Sequence, residues 1–219
     1  IPINIDIVID SFLNVIGNNG TMLIPFFNFD FKKKKFFSIK TTPSQMGVLT
    51  EQFRKKYSSC RTGHPVYSFG VFGKNKKYFE NIDNFSAYGE ESPFGILKRL
   101  DGKIAILDLE DQNSMTFYHH IEEINDVHWR YAKNFKGLYV DKNGKKTNKE
   151  YSIFVRKLEP NVQTDVNPAG ALMWKQGLYK GSKPFEGTGL RVIKSRAMCD
   201  FITEIIKKNN AKGLLYTSS

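Results

Sequence analysis

The chain is short of several things, and each scarcity excludes a class of protein. Only two of its 219 residues are cysteine, Cys60 and Cys199, far apart and in no C-x-x-C pair. Neither a disulfide framework nor a zinc ribbon can be built from them, and both read as core residues. No stretch approaches the roughly 18 uninterrupted apolar residues that a membrane-spanning helix needs. The N-terminal segment has no basic start and no small-residue cleavage site. A soluble, unexported protein in a reducing cytoplasm is expected. The G-x-S-x-G elbow of serine hydrolases and the H-E-x-x-H helix of zinc hydrolases are missing as well. Acidic residues are in deficit: 22 Asp and Glu against 33 Lys and Arg leave a formal net charge of +11.

What is abundant is apolar and aromatic material. Hydrophobic residues make up 40% of the chain, with 18 Phe and 10 Tyr, too much for a disordered segment. The length fits one domain, residues 1–219, with a sizeable core. The excess charge is dispersed. Lys32 to Lys35 is a short run, and Lys142 to Lys149 reads as a solvated turn between strands. Neither is interleaved with regularly spaced aromatics, so no motif supports nucleic-acid binding. A positive field favours an anionic small ligand instead. The chain opens on Ile1 rather than Met, directly into a helical pattern, which suggests a preceding segment.

Ile5, Val8, Ile9, Phe12, Leu13 and Ile16 recur at helical spacing, and Gly17 with Gly20 supplies the stop. Thr21 to Phe27 reads as a buried strand. Ser44 is placed to cap a helix carrying Met46, Leu49 and Phe53 on one face. Val66 to Phe72 alternates as a strand, Phe94 to Leu100 is a helical turn, and Lys103 to Leu107 is a second buried strand. Thr116 to Ile124 is helical, Tyr151 to Arg156 a strand, and Ala169 to Gln176 and Ser195 to Lys207 are helices. Strands alternating with helices argue for α/β or α+β packing.

The most unusual cluster is Ser114 to Glu123 (SMTFYHHIEE), where a strand, a polar loop (Asp108 to Asn113) and a helix start succeed one another. If the helix begins near Ser114, His119 and Glu122 share a face, three residues apart. A carboxylate at that distance fixes the imidazole tautomer and stabilises the imidazolium formed when the ring takes a proton. That is a general-base dyad in outline. Two other readings stand beside it: a His and a Glu on a solvated helix face, or a metal site completed by His64 or His128. His120 points to a different face and reads as packing or surface. A second cluster, Arg61 to Gly70 (RTGHPVYSFG), puts His64 before a proline, hence in extended backbone, with Ser68 four residues on. These two could face one ligand, although a buried, hydrogen-bonded His is the commoner outcome.

Taken together, seven segments resemble the aminoglycoside 3-N-acetyltransferase family, and in that family's order: GTMLIPFF (20–27), TTPSQMGVLTEQFRK (41–55), RTGHPVYSFGVFGK (61–74), YGEESPFGILKRLDGKIAIL (88–107), SMTFYHHIEE (114–123), VHWRYAKNF (127–135) and FVRKLEPNVQTD (154–165). The resemblance implies a three-layer α/β/α-type fold, with acetyl-CoA or another short acyl-CoA as co-substrate, no metal, and direct attack of an acceptor amine on the thioester. It assigns the general base to His119, its orientation to Glu122, and a place near the thioester carbonyl to Thr116. His64, Ser68 and Arg61 would line the cleft for CoA and acceptor, and Ser44 and Gly47 another part of the cofactor cleft. Two departures stand out. Asp108 to Gln112 replaces a Gly-rich loop, and Met115 replaces the Asn that usually precedes the Thr. The family's N-terminal strand would precede Ile1.

The acceptor is where charge enters. Aminoglycosides are polycations, and a +11 chain opposes them while attracting a nucleotide diphosphate. The expected acceptor is therefore an amino sugar, nucleotide-linked and of the kind used to build surface polysaccharides, with aminoglycoside acetylation (antibiotic resistance) as the runner-up. A local acidic pocket of Glu90, Glu91, Glu110, Asp111, Glu122 and Glu123 would reverse that order. From another class, a catalytically silent relative binding a ligand or nucleic acid is the alternative. A homo-oligomer is compatible with the sequence.

Overall fold

The computed structural model describes residues 4–209 and 211–218, so the start at Ile1 lies outside the described residues. In chain order these residues form α1 (Ile5–Ile16), β1 (Thr21–Pro25), β2 (Phe37–Ser38), α2 (Val48–Lys56), β3 (Cys60–Arg61), β4 (Phe69–Gly73), α3 (Pro93–Arg99), β5 (Lys103–Leu107), α4 (Asp111–Ser114), α5 (Phe117–Ile124), β6 (Arg130–Val140), β7 (Lys146–Arg156), β8 (Val162–Thr164), α6 (Asn167–Lys175), β9 (Lys180–Gly181), β10 (Leu190–Lys194), α7 (Ser195–Asn209) and β11 (Tyr216–Ser218). This is a mixed α/β chain, as expected. The named pairings are antiparallel except β2 with β6. The residues gather into two compact units, one running to Ala87 and resuming over Asn134–Ile153, the other comprising Tyr88–Lys133 and the chain from Phe154 onward.

In the first unit β4 is the middle strand of β1-β4-β3, with Leu23 opposite Val71 and Cys60 opposite Val71 on the other side. Helices α1 and α2 pack on β1. Their apolar stripes explain why: Ile9 and Phe53 are fully buried and meet Ile24 and Phe26 in one cluster. Each such side chain contributes about 1.5–3 kcal/mol by leaving water. Gly17 ends α1 as expected, its positive φ of 66° letting its N–H reach Leu13 O at 2.9 Å. A second sheet has the order β2-β6-β7; the turn expected over Lys142 to Lys149 ends at Lys145, and Lys146 to Lys149 already belong to β7.

In the second unit β10 lies between β5 and β9, with Arg191 opposite Ile106. Helices α3, α5 and α6 each pack on α7, burying Ile121, Met173, Met198 and Ile202 completely. Ser92 caps α3 through Gly95 N, with Pro93 in the first turn.

Four expectations need correction. Ser44 does not cap α2. The helix starts at Val48 behind Gly47, whose φ of 104° only glycine adopts easily, so Met46 lies outside it. The Ser44 hydroxyl serves the turn instead, accepting from Met46 N and meeting Thr50 Oγ1 at 2.8 Å. The strand expected over Val66 to Phe72 begins only at Phe69. His64 Nδ1 accepts from the N–H groups of Val66 (3.3 Å) and Tyr67 (3.1 Å), which holds that stretch in a turn. Lys103 to Leu107 is a strand but not a buried one: β5 pairs with β10 alone within its sheet, and of its five residues only Ile106 is buried. Finally, Cys199 is buried as expected whereas Cys60 is half-buried.

Candidate active site

Helix α5 places His119. Phe117, Tyr118 and Ile121 are buried along it, and this apolar side fixes the helix against α3 and α7. The imidazole of His119 remains 29% exposed. One turn on, Glu122 is fully buried, and its Oε2 accepts from His119 Nδ1 at 2.8 Å. A carboxylate only accepts, so Nδ1 carries the hydrogen and Nε2 is the ring nitrogen that can take a proton.

Glu122 is itself held. Its Oε2 lies 2.7 Å from Arg130 Nε, and Trp129 Nε1 donates to Oε1 at 2.9 Å. Arg130 is anchored through Nη1 to Phe154 O at 3.2 Å. The Trp129 ring stacks on Tyr216, centroids 4.2 Å apart, and Tyr88 lies 5.2 Å from the His119 ring. Burial is the largest influence on Glu122 and opposes its ionisation, but the Arg130 charge, His119 and the Trp129 hydrogen bond together outweigh it, and the carboxyl stays below its usual range. Burial and then Arg130 pull the His119 pKa below its usual 6.5, with Glu122 pulling the other way. The product is a neutral imidazole at neutral pH, oriented by an ionised acid. Thr116 stands at the N-terminus of α5, and its carbonyl accepts from His119 N at 3.0 Å.

His120 takes the packing role: it is fully buried and bonded through Nδ1 to Tyr88 O. Among the described residues no three His, Cys, Asp or Glu side chains gather so as to hold a metal ion. His128 meets Tyr216 OH at 3.2 Å.

The other five candidates lie in the first unit. Arg61 is buried, donating through Nε to Ser68 Oγ (2.9 Å), through Nη2 to Phe26 O (2.9 Å) and through Nη1 to Thr42 O. Burial drops its pKa to about 9. Ser68 and His64 have no exposed surface, and burial lowers the His64 pKa to about 3. Ser44 and Gly47 form the turn before α2. It is tied by Glu51 Oε2, which accepts from Ser44 N at 2.9 Å while Arg54 grips both carboxylate oxygens. Ser44 and Gly47 meet through Thr50, whose hydroxyl contacts both.

Trp129 and Arg130 were not singled out from the sequence, although they lie in one of the matching segments. The acidic cluster is largely neutralised. Glu90 pairs with Lys98 (2.9 Å), Glu91 with Arg99 (3.6 Å), Asp111 with Arg191 (2.8 Å) and Glu122 with Arg130. Asp111 is the most altered from its expected role in an open loop. It is buried, accepting from Tyr118 OH and Tyr179 OH on Oδ2, and Gly170 leaves room where a Cβ would come within 2.7 Å of that oxygen.

Residues 2–207 match the family described as aminoglycoside 3-N-acetyltransferase. The chain is similar to the SPbeta prophage-derived aminoglycoside N(3')-acetyltransferase-like protein YokD of Bacillus subtilis (strain 168), at 24% identity over 167 residues, covering 66% of this chain and 60% of that protein. It thus spans less than two thirds of that relative's length. Its fold is that of the crystal structure of aminoglycoside acetyltransferase AAC(3)-Xa, with a TM-score of 0.78 at 18% identity over 94% of this chain and 81% of the other. A structure titled AAC-IIIb binary with CoASH superposes with a TM-score of 0.77 at 18% identity, over 94% and 84% of the two chains. These names fit the aminoglycoside acceptor, the runner-up above, better than the nucleotide-linked amino sugar that the charge suggested.

Proposed function

This chain belongs to the aminoglycoside 3-N-acetyltransferase family, and from that premise we propose that it transfers an acetyl group from acetyl-CoA to an amine of an aminoglycoside. The observation that carries the reading is the His119 Nδ1–Glu122 Oε2 bond of 2.8 Å on a ring that is still 29% exposed. An ammonium has no lone pair, so a base must take a proton before or during attack. His119 Nε2 takes it, Glu122 stabilises the resulting imidazolium, the nitrogen bonds to the thioester carbonyl carbon, and the CoA thiolate leaves and is protonated. Thr116 lies near the carbonyl, and Ser44, Gly47, Arg61, His64 and Ser68 shape the CoA side, as the family resemblance implies. The reaction belongs in the cytoplasm, where acyl-CoA is available and where Cys60 and Cys199 stay free thiols.

A second acceptor is favoured by one observation. The chain carries +11, and four of the six carboxylates that would form an acidic pocket are paired with its own cations. A nucleotide-linked amino sugar suits that field. The test is thiol release from acetyl-CoA with gentamicin-type aminoglycosides and with nucleotide-linked amino sugars in parallel. Turnover with an aminoglycoside supports the first reading, and turnover with the nucleotide sugar alone supports the second. No thiol release with either, together with salt-sensitive oligonucleotide binding, would replace both by a binding module.

A further inference from the structure

Between residues 30 and 43 the chain carries five lysines and one aspartate, and this stretch borders a concavity. A cavity of about 480 Å³ is walled by Asn28, Asp30, Lys34, Lys35, Phe36 and Thr41, with Thr42 and Pro43 beside them. Its size falls in the range of small-molecule sites, about 300–1,000 Å³.

The walls are tied together. Asn28 is 2% exposed, its Nδ2 donating to Pro43 O at 3.0 Å and its Oδ1 accepting from Asp30 N at 2.9 Å. Gln45 Oε1 accepts from Phe29 N at 2.9 Å. The two chain segments bounding the cavity are thus clamped to each other, and a ligand entering it meets a formed site.

The lining has a definite chemistry. Lys34 adopts a left-handed conformation, φ 62°, where the turn Asp30–Lys33 ends. Lys35 pairs with Asp30 of the same wall, 3.3 Å away, in an exposed contact that contributes little and that a phosphate can replace. Phe36 is 59% exposed, whereas its neighbour Phe37 is 1% exposed and packed on Tyr139. An exposed phenyl ring lining the same cavity as two lysines suits a planar base joined to phosphate. A neutral or cationic ligand would gain nothing from the lysines.

We propose that this cavity is a nucleoside-phosphate subsite, with Lys34 and Lys35 meeting phosphate oxygens and Phe36 stacking on the base. For its natural occupant the assignment rests on the acyl-transfer reading, which brings two such molecules to this protein: the nucleotide end of CoA and a nucleotide-linked amino sugar.

The experiment is calorimetric titration of the full chain with CoA, with 3′-dephospho-CoA and with UDP-glucosamine. It compares the parent protein, the double variant Lys34→Asn with Lys35→Gln, the variant Phe36→Ser, and a charge control, Lys145→Gln with Lys146→Gln, two exposed residues where the turn meets the start of β7. Asn is chosen at 34 because it tolerates the left-handed backbone, and melting temperatures establish that each variant is folded. The double variant is expected to raise Kd about ten-fold for CoA or for UDP-glucosamine. Phe36→Ser should raise it several-fold, and the control should leave it within about two-fold. A response confined to CoA and weaker for 3′-dephospho-CoA identifies the coenzyme as occupant, and one confined to UDP-glucosamine identifies the acceptor. Equal losses in the double variant and the control would reduce the effect to the general field and overturn the subsite, as would no binding of any of the three to the parent. Intact acetyl transfer with unaltered binding in the double variant would remove the subsite alone. Lost nucleotide binding in a protein that transfers no acetyl group would remove the activity alone.

Discussion

Two histidines, one in each compact unit, sit in segments of comparable promise and end in opposite circumstances. His64 has no exposed surface, and its Nδ1 is consumed by two backbone N–H groups of its own turn. His119 keeps 29% of its side chain exposed, and its Nδ1 is held by a carboxylate. Both rings are pushed toward the neutral form, His64 by burial to about 3 and His119 below 6.5 by burial and Arg130. The difference lies in what faces each ring. A ring whose acceptor nitrogen is spent on its own backbone holds a turn in place. A ring whose donor nitrogen rests on a buried acid keeps its other nitrogen for a proton.

Substitution should separate the two most widely at His119. His119→Ala is expected to lower kcat for acetyl transfer by about 10²–10⁴-fold while the melting temperature changes little, read by thiol release and thermal unfolding. Full turnover in that variant would erase the contrast. The same ring sets the acid limb. The neutral form is the base, so kcat/KM should be full at high pH and fall as pH drops through an apparent pKa below 6.5.

Next in size is Glu122→Gln, which leaves Arg130 buried beside a neutral amide. A loss of about 3–5 kcal/mol of stability is expected in denaturant titrations. Because Glu122 raises the His119 pKa, the acid limb should move to still lower pH. His64→Phe should cost about 1–3 kcal/mol by leaving the N–H groups of Val66 and Tyr67 without their acceptor, and should leave the acid limb where it is. A shifted limb would mean that His64 also titrates in the reaction.

The smallest effect is expected for Glu51→Gln, about 1–2 kcal/mol, from loss of the charged clamp on Arg54 and the Ser44 turn. Arg54 holds the Glu51 pKa down at about 2 against its ordinary 4.5. The contribution is therefore complete above about pH 4.5 and fades as pH falls toward 2, and the melting-temperature gap between variant and parent should close over that window.

The His119–Glu122 contact was legible because it is local: three residues on one helix meet whatever surrounds them. Trp129 and Arg130 reach the same carboxylate only because the chain reverses after α5, at Asn125 and at Asp126 with its φ of 44°. No periodicity encodes that reversal. Asp111 looked like a free acid in a polar loop because its partners Tyr179 and Arg191 arrive 68 and 80 residues later. Lys103 to Leu107 looked buried because a short apolar run, Ile104 to Leu107, does not say which faces will be covered. The Ser44 cap failed for a subtler reason. A serine bonds a nearby N–H in a turn as readily as at a helix start, and Gly47 decided where α2 could begin.

Residue order alone determined the family pattern, most helices, the dyad and the basic balance of the chain, since these follow from spacings of a few residues or from simple counting. Tertiary structure decided which acids remain available, which histidine keeps a nitrogen for a proton, and that a lysine-rich stretch borders a cavity. Burial and long-range ion pairing are properties of neighbours brought together by folding, and a low-dielectric neighbour changes a charge more than any adjacent residue in the chain.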